Sequence, residues 1–401
     1  MGARLSTTLD APAVSGDAVL VVLPTDTEST KDVTADTPVA GLPLLRRIAL
    51  AGARAGFSTV MIARPRPRDR AIVAGTDATV LTAETMSRAV GPCRIVLFPE
   101  NVVPNPQSLR RLLDVPVERD TPYVDRSTAI VVEASDPSFV LTLAARGATP
   151  RELRATLPAR LGAPEAQLDV RSGFALGGVA DVPAAETWLL RSLIKPNEGF
   201  MSRHFERRIS LALTRRLVKT GVTPNAMTIV SVAIGLAGAP FFLSSSPLYQ
   251  VVGALLFLTH SILDGCDGEI ARLKFLESNG GAVLDFWGDN VVHAAVFVSL
   301  TLGWVIYAGS LWPLGIGAFA VMGTALAAAA VWRRGVLAWA VEEHASARAR
   351  LVATIAHRDF IYVILGLALF GQARWFIAVT AVGALPFLGV VAWVSRGRSA
   401  A

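Results

Sequence analysis

Four aspartates carry the chemistry that this sequence offers. Asp264, Asp267, Asp285 and Asp289 fall within the 31-residue stretch HSILDGCDGEIARLKFLESNGGAVLDFWGDN, His260–Asn290. Asp264 and Asp267 stand three apart, on one face of a helix, and Asp285 and Asp289 four apart, on one face of another. Between the pairs, Ser278-Asn279-Gly280-Gly281 predicts a helix break. A helical hairpin there brings two carboxylate pairs face to face. Four carboxylates cannot share such a site ionised unless cations neutralise them. Hard divalent ions with oxygen ligands, Mg²⁺ or Mn²⁺, fit this donor set. Two such ions about 4 Å apart would clamp a diphosphate and activate a nucleophile. Gly268, Ala271 and Gly281 are small and let a flat or bulky ligand approach the helix backbones. Arg272, on the same segment, is suited to pair with phosphate or carboxylate. Helix capping accounts for Asp285 alone but not for four acids in register.

The elements that position these acids are apolar. Of the 401 residues, 52% are hydrophobic and 17% charged, against about 25% charged in an ordinary soluble domain. Mean hydropathy is +0.48. This excludes a wholly soluble chain and a disordered one, and the length implies two or three domains. Cys93 and Cys266 are too few for a disulfide framework or a four-thiolate zinc site. A net charge of +6 on so apolar a chain points to anionic lipid or nucleotide phosphate, and no nucleic-acid partner is expected. Runs long enough to cross a bilayer predict six spans, near 224–243, 248–267, 282–306, 311–332, 359–373 and 375–394. The first two acids then lie at the end of the second span and the last two at the start of the third. Carboxylates so close to hydrocarbon are functional candidates by default.

Upstream of the spans, residues 191–222 form a basic juxtamembrane segment carrying Arg203, Arg207, Arg208, Arg215, Arg216 and Lys219. Phe205, Ile209, Leu213 and Leu217 recur every fourth residue, which predicts an apolar stripe on a helix lying against an anionic membrane face. Arg272 and Lys274, the arginines from Arg333 to Arg358, and Arg396 and Arg398 fall on the same side of the predicted spans. The positive-inside rule places both chain termini and the acids on the cytoplasmic side of the cell (inner) membrane. Met1–Gly16 contains no long apolar run, so no signal peptide is expected.

Residues 1–190 read as a soluble α/β domain. Ala18–Leu23, Phe57–Ala63, Arg94–Phe98 and Ala129–Glu133 are strand candidates, and Pro43–Ala55 has helical periodicity. Strand, helix and strand with short connections imply a parallel sheet.

The pattern Asp264-x2-Asp267-Gly268-x2-Ala271-Arg272-x8-Gly281-x3-Asp285-x3-Asp289 resembles the full signature of the CDP-alcohol phosphotransferases (CDP-alcohol phosphatidyltransferases), and Thr223-Pro224-Asn225 resembles the opening of that family's first span. The resemblance covers residues 223–401 and implies an all-α membrane domain of six helices, commonly a homodimer. It implies that a CDP-linked alcohol binds through two metal ions, that an acceptor hydroxyl attacks the β-phosphorus, and that CMP leaves. Asp264, Asp267 and Asp285 carry over as metal ligands, and Asp289 as ligand or neighbour and as general base. Asp264, Gly268, Ala271, Arg272, Gly281 and Asp285 carry over to the nucleotide site.

The front region resembles, more weakly, a Rossmann-like nucleotidyltransferase of the sugar-phosphate type. Leu42-Pro43-Leu44-Leu45 matches its opening, and Glu100 falls where that fold has a metal-binding aspartate. In place of the Gly-rich triphosphate loop stands Leu23-Pro24-Thr25-Asp26-Thr27-Glu28, whose proline and acids would repel a triphosphate. The expectation is a domain that kept the fold and lost the catalysis. The pairing, joined through Lys195–Phe200, resembles enzymes that make CDP-inositol and couple it to inositol phosphate. It implies CDP-inositol or CDP-diacylglycerol as donor and inositol phosphate or a similar polyol as acceptor. A phosphorylated acceptor needs cations, and Arg203, Arg207, Arg208, Arg333, Arg334 and Arg358 are candidates, though each also reads as a positive-inside anchor. His260, the Phe286-Trp287 pair and Cys266 read as packing residues. Two other functions fit paired acids: a membrane prenyltransferase, which is expected to open its motif Asn-Asp-x2-Asp, and a divalent-cation transporter, which has no need of Arg272.

Overall fold

The computed structural model describes residues 17–25, 30, 32–86, 91–194, 201–334 and 360–383. The chain divides into two compact units, Met1–Ser192 and Leu193–Ala401.

The first unit is built on a seven-stranded sheet in the order 166–167, 123–124, 130–134, 93–99, 18–23, 59–62, 79–80. Ala18–Leu23 is buried at every position and pairs in parallel with Thr59–Ile62 on one side and Cys93–Pro99 on the other. Buried on both faces, it has the continuous apolar sequence that a central parallel strand requires. The helix Leu44–Ala55 crosses between the first two strands and ends at Gly56, whose φ of 102° a side chain would disfavour. The expected parallel sheet is present, with one departure at Ile130–Ala134, which runs antiparallel to both Cys93–Pro99 and Tyr123–Val124. The cause is local. Asp125 accepts from the backbone N–H groups of Ser127 and Ala129, closing a turn that folds the chain straight back.

The second unit is helical. Among the described residues four helices are long and apolar enough to cross a membrane: Pro224–Leu243, Pro247–Lys274, Asn279–Ala308 and Trp312–Ala330. Several such helices make this a multi-pass membrane protein. Of the six spans expected, these four are found among the described residues. The predicted fifth and sixth fall on helical segments at Phe360–Ala368 and 375–383, and residues 359 and 384–394 lie outside the described residues. The second span runs unbroken to Lys274, and Phe275 closes it in the left-handed conformation. Ser278 caps the third span by accepting from the N–H of Gly281. The helix break is therefore Phe275–Ser278, and Gly280-Gly281, expected in the break, belong to the next helix. A capped first turn tolerates glycine because the capping side chain, not the residue's own propensity, satisfies its backbone.

Close approach of the spans depends on small residues, as in other membrane bundles. The first two spans cross where Gly238 faces Gly253, each lying within about a Cβ contact of the other's carbonyl oxygen. A Cβ on Gly303 would fall 2.3 Å from the carbonyl oxygen of Phe242, whereas one on Gly315 would meet nothing within 4 Å. Gly303→Ala is expected to cost about 1–3 kcal/mol through overpacking. In detergent this reads as a fall in melting temperature of roughly 2–10 °C, with Gly315→Ala as the unchanged control. Equal melting temperatures for the two variants would contradict this packing.

Candidate metal centre

The second and third spans bring their acids to one place. Asp264 and Asp267, each 5% exposed, project from one face of the second span. Asp285, partly buried, faces them from the third. One carboxylate oxygen from each of the three lies within 4.8 Å of the others. Asp289, one turn further along the third span and also buried, sits beside this group. Its Oδ1 comes within 3.4 Å of His260 Nε2. Three carboxylates at this separation, two of them buried and one partly so, repel strongly in a medium of low dielectric. Asp285 Oδ1 is buried and, among the described residues, has no hydrogen-bond partner. Hard oxygen donors with unsatisfied valence fit a divalent cation of the Mg²⁺ or Mn²⁺ type. Cys266, between the two aspartates, is turned away: its Sγ lies against the carbonyls of Ser210 and Ile262. Among the described residues this is the one three-acid cluster.

The small residues and Arg272 lie on the same two helices as the cluster. The Arg272 guanidinium folds back along the helix, 3.4 Å from where a Cβ of Gly268 would be. A Cβ on Gly281 would sit 3.2 Å from Asn225 Oδ1, so this glycine admits the start of the first span. Ala271 is 9% exposed.

Two residues that sequence reasoning missed hold the site. Thr228 of the first span, 2% exposed, donates its hydroxyl to Asp267 Oδ2. Glu269 of the second span, fully buried, accepts from three groups of the juxtamembrane helix: Arg207 Nη1 at 2.6 Å, Ser210 Oγ at 2.8 Å and Thr214 Oγ1 at 2.6 Å. Positions 207, 210 and 214 form one helical stripe, so the packed face is polar as well as leucine-lined. Phe205 and Ile209, on the apolar stripe expected to lie against the membrane, are 47% and 41% exposed. They lie off the polar stripe that meets the buried glutamate. The legible signal was the Arg207, Ser210, Thr214 spacing opposite an acid in an otherwise apolar span.

Of the acceptor candidates, Arg207 is engaged by Glu269 and Arg208 is exposed. The side chains of Arg203, Arg333 and Arg334, and the whole of Arg358, lie outside the described residues. His260 is packed, as expected, with its ring stacked on Phe257 at 6.1 Å, but it also reaches Asp289. The Phe286 and Trp287 rings meet edge to face at 5.4 Å.

In the α/β unit, Arg66 Nη2 donates to Glu100 Oε1 at 2.9 Å. Burial pushes the Glu100 carboxyl above its ordinary range, and Arg66 opposes that shift. The segment 26–28, expected to replace the triphosphate loop, and the linker 195–200 lie outside the described residues.

Residues 221–386 match the family model described as CDP-alcohol phosphatidyltransferase. A bifunctional IPC transferase and DIPP synthase of Thermococcus kodakarensis is 37% identical over 121 residues, 30% of this chain and 27% of that protein. A phosphatidylinositol phosphate synthase of Mycobacterium marinum is 34% identical over 108 residues, 27% of this chain and 45% of that protein. The chain thus spans less than half the length of either curated relative. The crystal structure of a Mycobacterium tuberculosis phosphatidylinositol phosphate synthase with CDP-DAG bound aligns with 46% of this chain and 94% of its own, at 23% identity and a TM-score of 0.33.

Proposed function

We propose that this chain, whose residues 221–386 match the CDP-alcohol phosphatidyltransferase model, transfers a phospho-alcohol group from a CDP-alcohol to an acceptor hydroxyl and releases CMP. The observation that carries the reading is the buried meeting of Asp264, Asp267 and Asp285 from two spans. These three residues hold divalent cations, Mg²⁺ or Mn²⁺, with Asp289 as a further ligand or neighbour. When bound, the cations neutralise the donor diphosphate and make CMP a better leaving group.

The chain's own residues do the rest. Gly268, Ala271 and Gly281 leave room for the nucleotide beside the helix backbones. Arg272, lying over Gly268, pairs with its phosphate. Asp289 takes the proton from the acceptor hydroxyl as its oxygen attacks the β-phosphorus. The bond from that phosphorus to the bridging oxygen breaks, and CMP carries the electron pair away. Burial of Asp264, Asp267 and Asp289 limits the access of water, which would otherwise compete with the acceptor.

The donor in this reading is CDP-inositol or CDP-diacylglycerol, and the acceptor is inositol phosphate or a similar polyol. The names of the curated relatives support that class. The distribution of basic residues supports a cytoplasmic site, with both termini on that side. The working unit is a homodimer in the bilayer. Glu100, already committed to Arg66, supports a front domain, residues 1–190, that positions or regulates rather than activates a nucleotide.

The test is CMP release by the purified protein in detergent with Mg²⁺ or Mn²⁺. The donors are CDP-diacylglycerol, CDP-inositol, CDP-glycerol and CDP-ethanolamine, each with and without inositol, inositol phosphate or glycerol phosphate. Release with one pair, abolished by EDTA and restored by excess Mn²⁺, is the expected result. No release from any pair, with no binding of CDP-diacylglycerol or CDP, would overturn the reading; a prenyltransferase or a cation transporter would give that outcome.

A further inference from the structure

We infer that Thr228 is a positioning residue of the metal centre, and that its hydroxyl tunes the affinity of the acid cluster for a divalent cation. The inference rests on the reading of Asp264, Asp267 and Asp285 as metal ligands. Thr228 lies on the first span, which contributes none of the acids. Its placement follows from the start of that helix. Thr223 Oγ1 accepts from the N–H of Ala226, and Pro224 occupies the first turn. That cap fixes the rotation of the helix, and one turn later Thr228 faces the second span.

A threonine hydroxyl has one proton to give. Two acceptors lie near it: Asp267 Oδ2, in short contact, and the carbonyl of Pro224 at 3.3 Å. The carboxylate is nearer and charged, so it takes the proton. Both residues are almost wholly buried, Thr228 at 2% and Asp267 at 5% exposed, so water does not compete. The bond holds one oxygen of Asp267 and so sets the plane of the carboxylate. The rest of that carboxylate is then presented to Asp264 and Asp285 in one orientation.

The third span closes on the other side of the same residue. A Cβ on Gly288 would fall 2.7 Å from Val232 Cγ2 and 3.9 Å from Thr228 Cγ2. The hydroxyl of Thr228 thus bonds the second span, while its methyl group lies on the side of Gly288 in the third, one residue before Asp289. Serine would keep the hydroxyl and lose the methyl group. Valine would keep the shape and lose the proton. Hydrogen bonds that orient metal ligands are worth about 10–100-fold in metal affinity.

The experiment is a Mn²⁺ titration of the full chain in detergent, followed by the electron paramagnetic resonance signal of free Mn²⁺. Wild type, Asp285→Asn, Thr228→Val and Thr228→Ser are compared, with melting temperatures taken in EDTA. Wild type is expected to bind and Asp285→Asn to bind far more weakly. If those two bind alike, the acid cluster is not the metal site and the functional reading itself fails. With that control met, Thr228→Val is expected to weaken binding about 10–100-fold. Thr228→Ser is expected to stay within about threefold, far inside the range for a lost orienting bond. Wild-type affinity in Thr228→Val, or equal weakening in valine and serine variants, overturns the inference and leaves Thr228 as packing. Thr228→Ala replaces the valine variant if valine lowers the melting temperature in EDTA, and is read by the same rule against serine.

Discussion

Asp289→Asn is expected to bind the CDP-alcohol donor with near-normal affinity and to turn it over about 10²–10⁴-fold more slowly, the range for loss of a general base. Asparagine has the same size and shape, so the contact with His260, 3.4 Å away, need not move. What is lost is the negative charge and the basic lone pair. Asp289 stands outside the three-acid group whose oxygens lie within 4.8 Å of one another. Its substitution therefore leaves those three carboxylates in place. Equilibrium binding of the donor and single-turnover CMP release separate the two effects. Normal turnover would remove Asp289 as the base. Loss of donor binding in step with turnover would make it a metal ligand instead.

Glu269→Ala should produce the largest fall in stability of any single change in the helical unit. The fully buried carboxylate satisfies Arg207, Ser210 and Thr214 together. Alanine would remove the carboxylate that faces a guanidinium only 17% exposed, take the nearest acceptor from two buried hydroxyls, and leave a cavity. Breaking a buried ion pair by removing one partner costs about 3–5 kcal/mol. For a unit of this size that is a fall of roughly 6–20 °C in melting temperature. Removing both charges, as in Arg207→Met with Glu269→Met, is expected to recover much of the loss, since the cost lies in the unpaired charge. A double-mutant cycle on melting temperature measures the coupling. Additive losses would show that Glu269 and Arg207 act independently.

The four aspartates were legible because short helical spacings are local: three or four residues set which side chains share a face. The strands at Ala18–Leu23 and Cys93–Pro99 were legible for a similar reason, as continuous apolar runs bounded by polar ones. Thr228 and Glu269 were not, because what gives them meaning is distant. Thr228 meets a partner 39 residues away, and Glu269 meets partners 55 to 62 residues away. Neither distance can be read from a period. The buried polar face of the juxtamembrane helix was not legible for a related reason. Its apolar residues, Phe205 and Ile209, and its polar ones, Arg207, Ser210 and Thr214, each form a regular stripe. Periodicity alone does not say which stripe is buried when a charged residue waits opposite. The helix break lies three residues earlier than expected because Gly280-Gly281 is a strong breaker in isolation, while the Ser278 cap that makes it tolerable is a single side-chain hydrogen bond.

The four residues Phe275–Ser278 are all that join the second and third spans. Fully extended they reach about 14 Å, less than half of the hydrocarbon thickness of about 30 Å. The two helices therefore cannot be threaded into a bilayer independently, and their joined ends must emerge on the same face. Any error of insertion during biosynthesis would carry Asp264, Asp267, Asp285 and Asp289 together. A misoriented copy would expose a whole site to the wrong compartment instead of splitting it into two useless halves.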